Sequence, residues 1–128
     1  MQNNRCMAPR DLPVRTRSFA LAVRRFVRAL PLTDEARETG GQLRRAANSL
    51  RSNSRAAGRG RSRAEFQAKL GTVFEEADEC VDHLEDLKDT DIRYDALLQQ
   101  ARELAMIFAK AVSTARKNTE RLKQNPRR

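Results

Sequence analysis

The sequence has one histidine, placed where a metal site or a nucleophile would first be sought. His83 follows Glu79 by four residues and Cys80 by three, so on a helix the three side chains share a face. Carboxylate-rich metal sites in helical bundles repeat Glu-x-x-His on two helices, which a single histidine cannot supply. A hydrolase built on Cys80 and His83 lacks any visible group to orient the base and any oxyanion donor. Glu75 and Glu76 point in different directions around a helix and form no general acid and base pair. The expectation is therefore no enzyme, no metal and no cofactor. His83 should lie at the surface or an interface, and Cys80 should behave as a small buried apolar side chain.

The arginines point elsewhere. Seven lie between Leu43 and Arg63 with no acid among them, whereas ten acids and two bases lie between Glu75 and Asp95. The chain of 128 residues carries a net charge of +9 and 34% charged side chains, a balance that keeps it soluble and draws it to polyanions. On a helix, Arg44, Arg51 and Arg55 fall on one stripe that Arg59, Arg61 and Arg63 continue, while Arg45 lies about 100° away. A guanidinium fork forms bidentate, charge-assisted hydrogen bonds with phosphate, and several such contacts give salt-sensitive, sequence-indifferent affinity. No aromatic residue is interleaved to stack on bases, so the expected ligand is the backbone of RNA or DNA. Gly58 and Gly60 would also let backbone amides approach a phosphate, although they serve equally as a helix stop. In the competing reading, the same arginines form a solvated face or are neutralised by the acidic stretch of this chain or a neighbour. The protein is then a structural or scaffolding oligomer.

Helical periodicity positions these groups. Phe19, Val23, Phe26, Val27 and Leu30 mark one face of a first helix, which Pro31 stops. Thr33 with Asp34 and Glu35 opens a second, whose stripe of Leu43, Ala46, Ala47 and Leu50 runs to about Ala57. Ser62 and Glu65 form a capping box for a third, with Phe66, Leu70, Val73, Phe74, Ala77, Val81 and Leu84 inward. A turn at Asp89 to Asp91 leads to a fourth from about Ile92, carrying Leu97, Leu98, Ala101, Leu104, Ala105, Phe108, Val112 and Ala115. The class is all-α, an antiparallel up-down four-helix bundle over 14–118, with a flexible tail at 1–13 and a basic tail at 119–128. Ala46, Ala47, Ala56 and Ala57 make the second helix thin, suited to packing inside the bundle or to close approach by another copy. Ser52 and Asn53 are expected to bond local backbone, or else a ligand or neighbouring subunit.

Cys6 and Cys80 make no secreted disulfide framework, and "FALAV" (19–23) is too short to cross a bilayer, so a cytoplasmic protein is expected. Arg24, Arg25 and Arg28 opposite the phenylalanines of the first helix would suit an anionic membrane surface, but the bundle needs that apolar face; no membrane partner is expected.

The run "QLRRAANSLRSN", the Gly-Arg turn, "SRAEF" and the long acidic third helix, with "DLPV" at Asp11, resemble a bacterial family. These are the small four-helix-bundle proteins encoded in intervening sequences of large-subunit ribosomal RNA genes. Arg44, Arg45, Ala46, Ala47, Ser49, Ser52, Asn53 and Ala56 match the family pattern, as do Gly58, Arg61, Ser62, Glu65 and Phe66 beyond them. The pattern's usual proline is Arg51 here, its isoleucine Ser54, its glutamate Ala57, and an aromatic near the start of the first helix is Arg15. The resemblance implies a ring-shaped homopentamer. Relatives include the accessory protein of diversity-generating retroelements, which joins a reverse transcriptase and binds nucleic acid through a basic surface. No enzymatic activity is implied.

Overall fold

The computed structural model describes residues 11–90 and 94–124. The expected N-terminal tail before Asp11, residues 91–93 of the last connection and residues 125–128 lie outside the described residues. The helices are α1 (Leu12–Arg28), α2 (Asp34–Ala57), α3 (Arg63–Asp86) and α4 (Asp95–Gln124). Each begins where the local chemistry favours it. Pro13 sits in the first turn of α1, where a missing N–H leaves no bond unmade. Thr33 has extended backbone and its hydroxyl accepts from the Ala36 N–H at 3.2 Å, with Asp34 and Glu35 at the positive end of the helix dipole. Ser62 does the same for α3, accepting from the Glu65 N–H at 3.1 Å. α2 ends without a left-handed residue: Gly58 stays right-handed at φ −66°, and the turn closes through Arg59 N–H to Ala56 O and Gly60 N–H to Ala57 O. Gly60 is needed for space, since a Cβ there would lie 3.3 Å from the backbone of Phe66.

Each helix packs against the next in sequence and α4 returns to α1, the contact pattern of an antiparallel up-down bundle. The α2–α3 seam is the most extensive and the α1–α4 seam the least. The core joins the expected stripes: Phe19, Val23 and Phe26 of α1, Leu43, Ala47 and Leu50 of α2, Val73, Ala77 and Leu84 of α3, Ala101, Leu104 and Phe108 of α4. Burial of each large apolar side chain contributes roughly 1.5–3 kcal/mol relative to exposure. Ala46 and Ala57 are buried with Ala47, so these small residues serve packing within the bundle. The side chains of Val27 and Leu30, at and just past the end of α1, pack onto the α2 backbone at Gly40, where a Cβ would fall 2.7 Å from Leu30 Cδ1 and 3.2 Å from Val27 Cγ1.

Three details differ from expectation. Phe66 is not a core residue but 39% exposed, because it lies over the α2–α3 turn at the end of the bundle. Phe74 and Val81, expected inward on α3, are half-buried, because α2 and α4 flank the helix from both sides, while Cys80 is fully buried as expected. α4 continues to Gln124 instead of fraying after residue 118. Gln67 Nε2 donates to Ala115 O at 2.8 Å and to the Thr119 hydroxyl, fastening those turns to α3. Among the described residues no helix is long and apolar enough to cross a membrane.

Candidate nucleic-acid interface

Antiparallel packing of α1 on α2 sets two rows of arginines along one seam. Arg17, Arg24 and Arg28 repeat at i, i+7 and i+11 on α1, and Arg37, Arg44, Arg51 and Arg55 share a stripe on α2. Between residues 12 and 28 α1 has no acid, and neither has the chain from Thr39 to Ala64. At one end of the seam a groove of about 600 Å³ is bordered by Pro13, Val14, Arg17, Arg51, Arg55 and Arg59. At the other end a smaller groove of about 290 Å³ holds Arg28, Arg37 and Arg44 beside Leu30, Leu32 and Gly41.

Of the residues singled out in the sequence, Arg51, Arg55 and Arg59 therefore come together, Arg44 belongs to the second groove, and Arg61 and Arg63 lie exposed in and just after the α2–α3 turn. Arg17 and Arg37 carry no expectation from the sequence, and Arg28 only that of a surface suited to an anionic membrane. The period of Arg17, Arg24 and Arg28 is visible in the sequence, but only packing shows that this row borders the stripe of α2. Among the described residues the ion pairs within 4.0 Å are Arg15 with Glu103 and Arg102 with Glu85, so no arginine of α2 pairs with an acid of α3.

The residues that differ from the pattern this sequence resembles make contacts of their own. Arg15, where an aromatic is usual, is half-buried and its guanidinium donates to the Glu103 carboxylate, tying α1 to α4 across the least extensive seam. Arg51, where a proline is usual, leaves α2 continuous to Ala57 and adds a charge to the larger groove. Asn53 turns inward on its own helix, donating to Ser49 O at 2.9 Å and Ser49 Oγ at 3.0 Å, the local bonding expected of it.

The histidine lies on another face. His83 is half-buried in a shallow groove between α2 and α3 with Arg45, Ser49, Glu76 and Glu79. The Glu79 carboxyl is raised above the ordinary carboxylate value first by its hydrogen bond with Glu76, then by burial and by the negative charges of Glu76, Glu75 and Asp82. Burial, with Glu76 and Glu79 adding to it, pushes the Cys80 thiol up to about 12, so it offers no thiolate nucleophile near neutral pH. Among the described residues no three His, Cys, Asp or Glu side chains converge to hold a metal ion.

Fold and surface together define an all-helical four-helix bundle whose first two helices present a basic seam. No known family model matches the chain, and no curated protein matches it. Its fold is similar to that of a crystallised protein of unknown function from the S23 ribosomal protein family of Bacteroides thetaiotaomicron. The likeness has a TM-score of 0.72 at 23% sequence identity and covers 84% of this chain and 99% of that one.

Proposed function

We propose that this protein is a non-enzymatic helical bundle that binds the phosphate backbone of RNA or DNA through the α1–α2 seam. The reading rests on one observation: Arg17, Arg51, Arg55 and Arg59 border a single open groove, and none has a carboxylate within ion-pair distance among the described residues. Four unneutralised guanidinium groups in a groove with no aromatic in its lining suit phosphate oxygens and offer no row of platforms for stacked bases. The surface is suited to a homo-oligomer, pentameric if it follows the resemblance, that assists a reverse transcriptase or another nucleic-acid enzyme by holding its template.

Fluorescence anisotropy with single- and double-stranded RNA and DNA across a salt series tests this. Arg51→Glu/Arg55→Glu/Arg59→Glu is the comparison, after light scattering shows the same assembly for both proteins. Wild type should bind at micromolar concentration or tighter. Its log affinity for duplex should fall with log salt by a slope of about 4 if all four contacts form, and the variant should lose binding. No wild-type binding at low salt, with the assembly intact, refutes the reading. The scaffold reading has its own observation in Glu75, Asp78 and Asp82, exposed on α3 without an ion pair among the described residues. It requires that the triple variant break the assembly.

A further inference from the structure

The antiparallel order brings the start of α1, the end of α2, the start of α3 and the end of α4 to the same end of the bundle. Two separate pieces of the sequence thereby become one basic pole. On the α1–α2 face stand the arginines already described, and the turn carries Arg59 and Arg61. On the opposite face, the hydrogen bonds from Gln67 to Ala115 and Thr119 set the last turns of α4 beside the first turns of α3. There Arg116 borders an open groove of about 340 Å³ with Ala64, Gln67, Ala68 and Gly71. Lys123 follows Arg116 by seven residues and so falls on the same edge of α4. Both are exposed, and neither is ion-paired within 4.0 Å among the described residues. The acids at this pole are Asp11, Glu65 and Glu120, while the acidic stretch of α3 and its following turn run to the far end. The small residues of α3 leave the groove floor low, and a Cβ on Gly71 would meet nothing within 4 Å.

We infer that Arg116 and Lys123 form a second phosphate-binding patch, and that this patch and the α1–α2 groove together grip a double-stranded nucleic acid laid across the basic pole. The inference rests on the proposed function and adds the class of ligand and the contribution of α4. Helix axes about 10 Å apart and helices 10–12 Å thick put the two faces about 20 Å from each other. Over that span a duplex offers about twelve phosphates and a stacked single strand about six. A flexible single strand must also be ordered before it can reach both patches, and among the described residues Phe66 is the one exposed aromatic at this pole, a platform for a single base rather than for a strand of about six. A stiff duplex meets both faces and the turn between them without that cost.

The test compares two double neutralisations that alter net charge equally. Arg116→Gln/Lys123→Gln removes the patch, whereas Lys88→Gln/Arg102→Gln removes two cations on or beside the far turn; circular dichroism and light scattering confirm fold and assembly. Anisotropy is read on a 20-base-pair DNA duplex, the corresponding RNA duplex and a 20-nucleotide single strand over 0.05–0.2 M salt, all about one to two bundle lengths. The α4 variant should lower the duplex salt slope by about two and weaken duplex binding by about tenfold or more at 0.1 M salt. Its effect on the single strand should be markedly smaller, and the far-end variant should change the slope little. Equal effects of the two variants, or equal losses for duplex and single strand, overturn the inference while leaving the α1–α2 groove as the binding site. If wild type binds none of the probes, both readings fall together.

Discussion

Gly40 and Gly41 are adjacent in α2, yet the structure assigns alanine opposite effects at the two positions. At Gly41 an added Cβ would meet only the Arg45 guanidinium at 3.7 Å, an ordinary contact. Replacing glycine inside a helix by alanine then recovers about 0.5–1 kcal/mol of backbone entropy and helix propensity. At Gly40 the Cβ would lie 2.7 Å from Leu30 Cδ1 and 3.2 Å from Val27 Cγ1, against about 3.5–4.0 Å for an unstrained carbon pair. Leu30 can swing its tip, but it is buried, and the β-branched Val27 holds one χ1 well in a helix. Overpacking of this kind costs about 1–3 kcal/mol, so after the same propensity gain Gly40→Ala should destabilise by about 1 kcal/mol. The two variants should thus differ by about 2 kcal/mol, which for a domain of this size is a gap of about 8 °C in Tm. Thermal unfolding followed at 222 nm reads it, and Leu30→Ala in the Gly40→Ala background should cost less than Leu30→Ala alone. A Gly40→Ala protein as stable as Gly41→Ala would refute the close approach of α1 and α2, and with it the placing of Arg28 beside Arg37 and Arg44.

Two further outcomes follow from the acidic face and the core. Glu79 has a raised carboxyl value in the folded state, so its protonated form is the favoured one there: the associated stability is present below the unfolded value near 4.5 and is lost as pH rises through the folded value. Glu79→Gln should therefore raise Tm at pH 7 through relief of like-charge repulsion worth about 0.2–0.5 kcal/mol per neighbouring pair, and the gain should shrink toward pH 4; a gain independent of pH in a Tm series would contradict this. Cys80, fully buried and with its thiol pushed up to about 12, should resist a disulfide reagent at pH 8 in a Cys6→Ser protein and react at once in guanidinium chloride. Rapid labelling of the native protein would show that the α3 core line is open.

Much of the bundle was legible because its signals are local. Thr33 and Ser62 announce helix starts through their own hydroxyls, Pro31 follows the end of α1, and Phe19, Val23 and Phe26 or Leu97, Ala101 and Leu104 keep a helical period whatever lies opposite. The inward face of α3 was less legible, since it is flanked by α2 and α4 and apolar on more than one side; Phe66, expected inward, lies exposed, and Phe74 and Val81 are half-buried for that reason.

By itself the sequence determined that the stretch around Arg51 and Arg55 is helical and basic on one stripe, because charge type and a 3.6-residue period are properties of the chain alone. It also determined that a single histidine cannot supply the Glu-x-x-His pair that a bundle metal site takes from two helices. Only the tertiary structure decided which cations share a surface. Arg17 reaches Arg51, Arg55 and Arg59 because α1 runs antiparallel to α2, and Arg116 joins the start of α3 because Gln67 fastens the end of α4 there. Those pairs are separated by more than thirty residues in the chain, and no local periodicity carries across a turn. Their meeting depends on which helices neighbour one another and how far each extends, quantities set by the packing of the whole core.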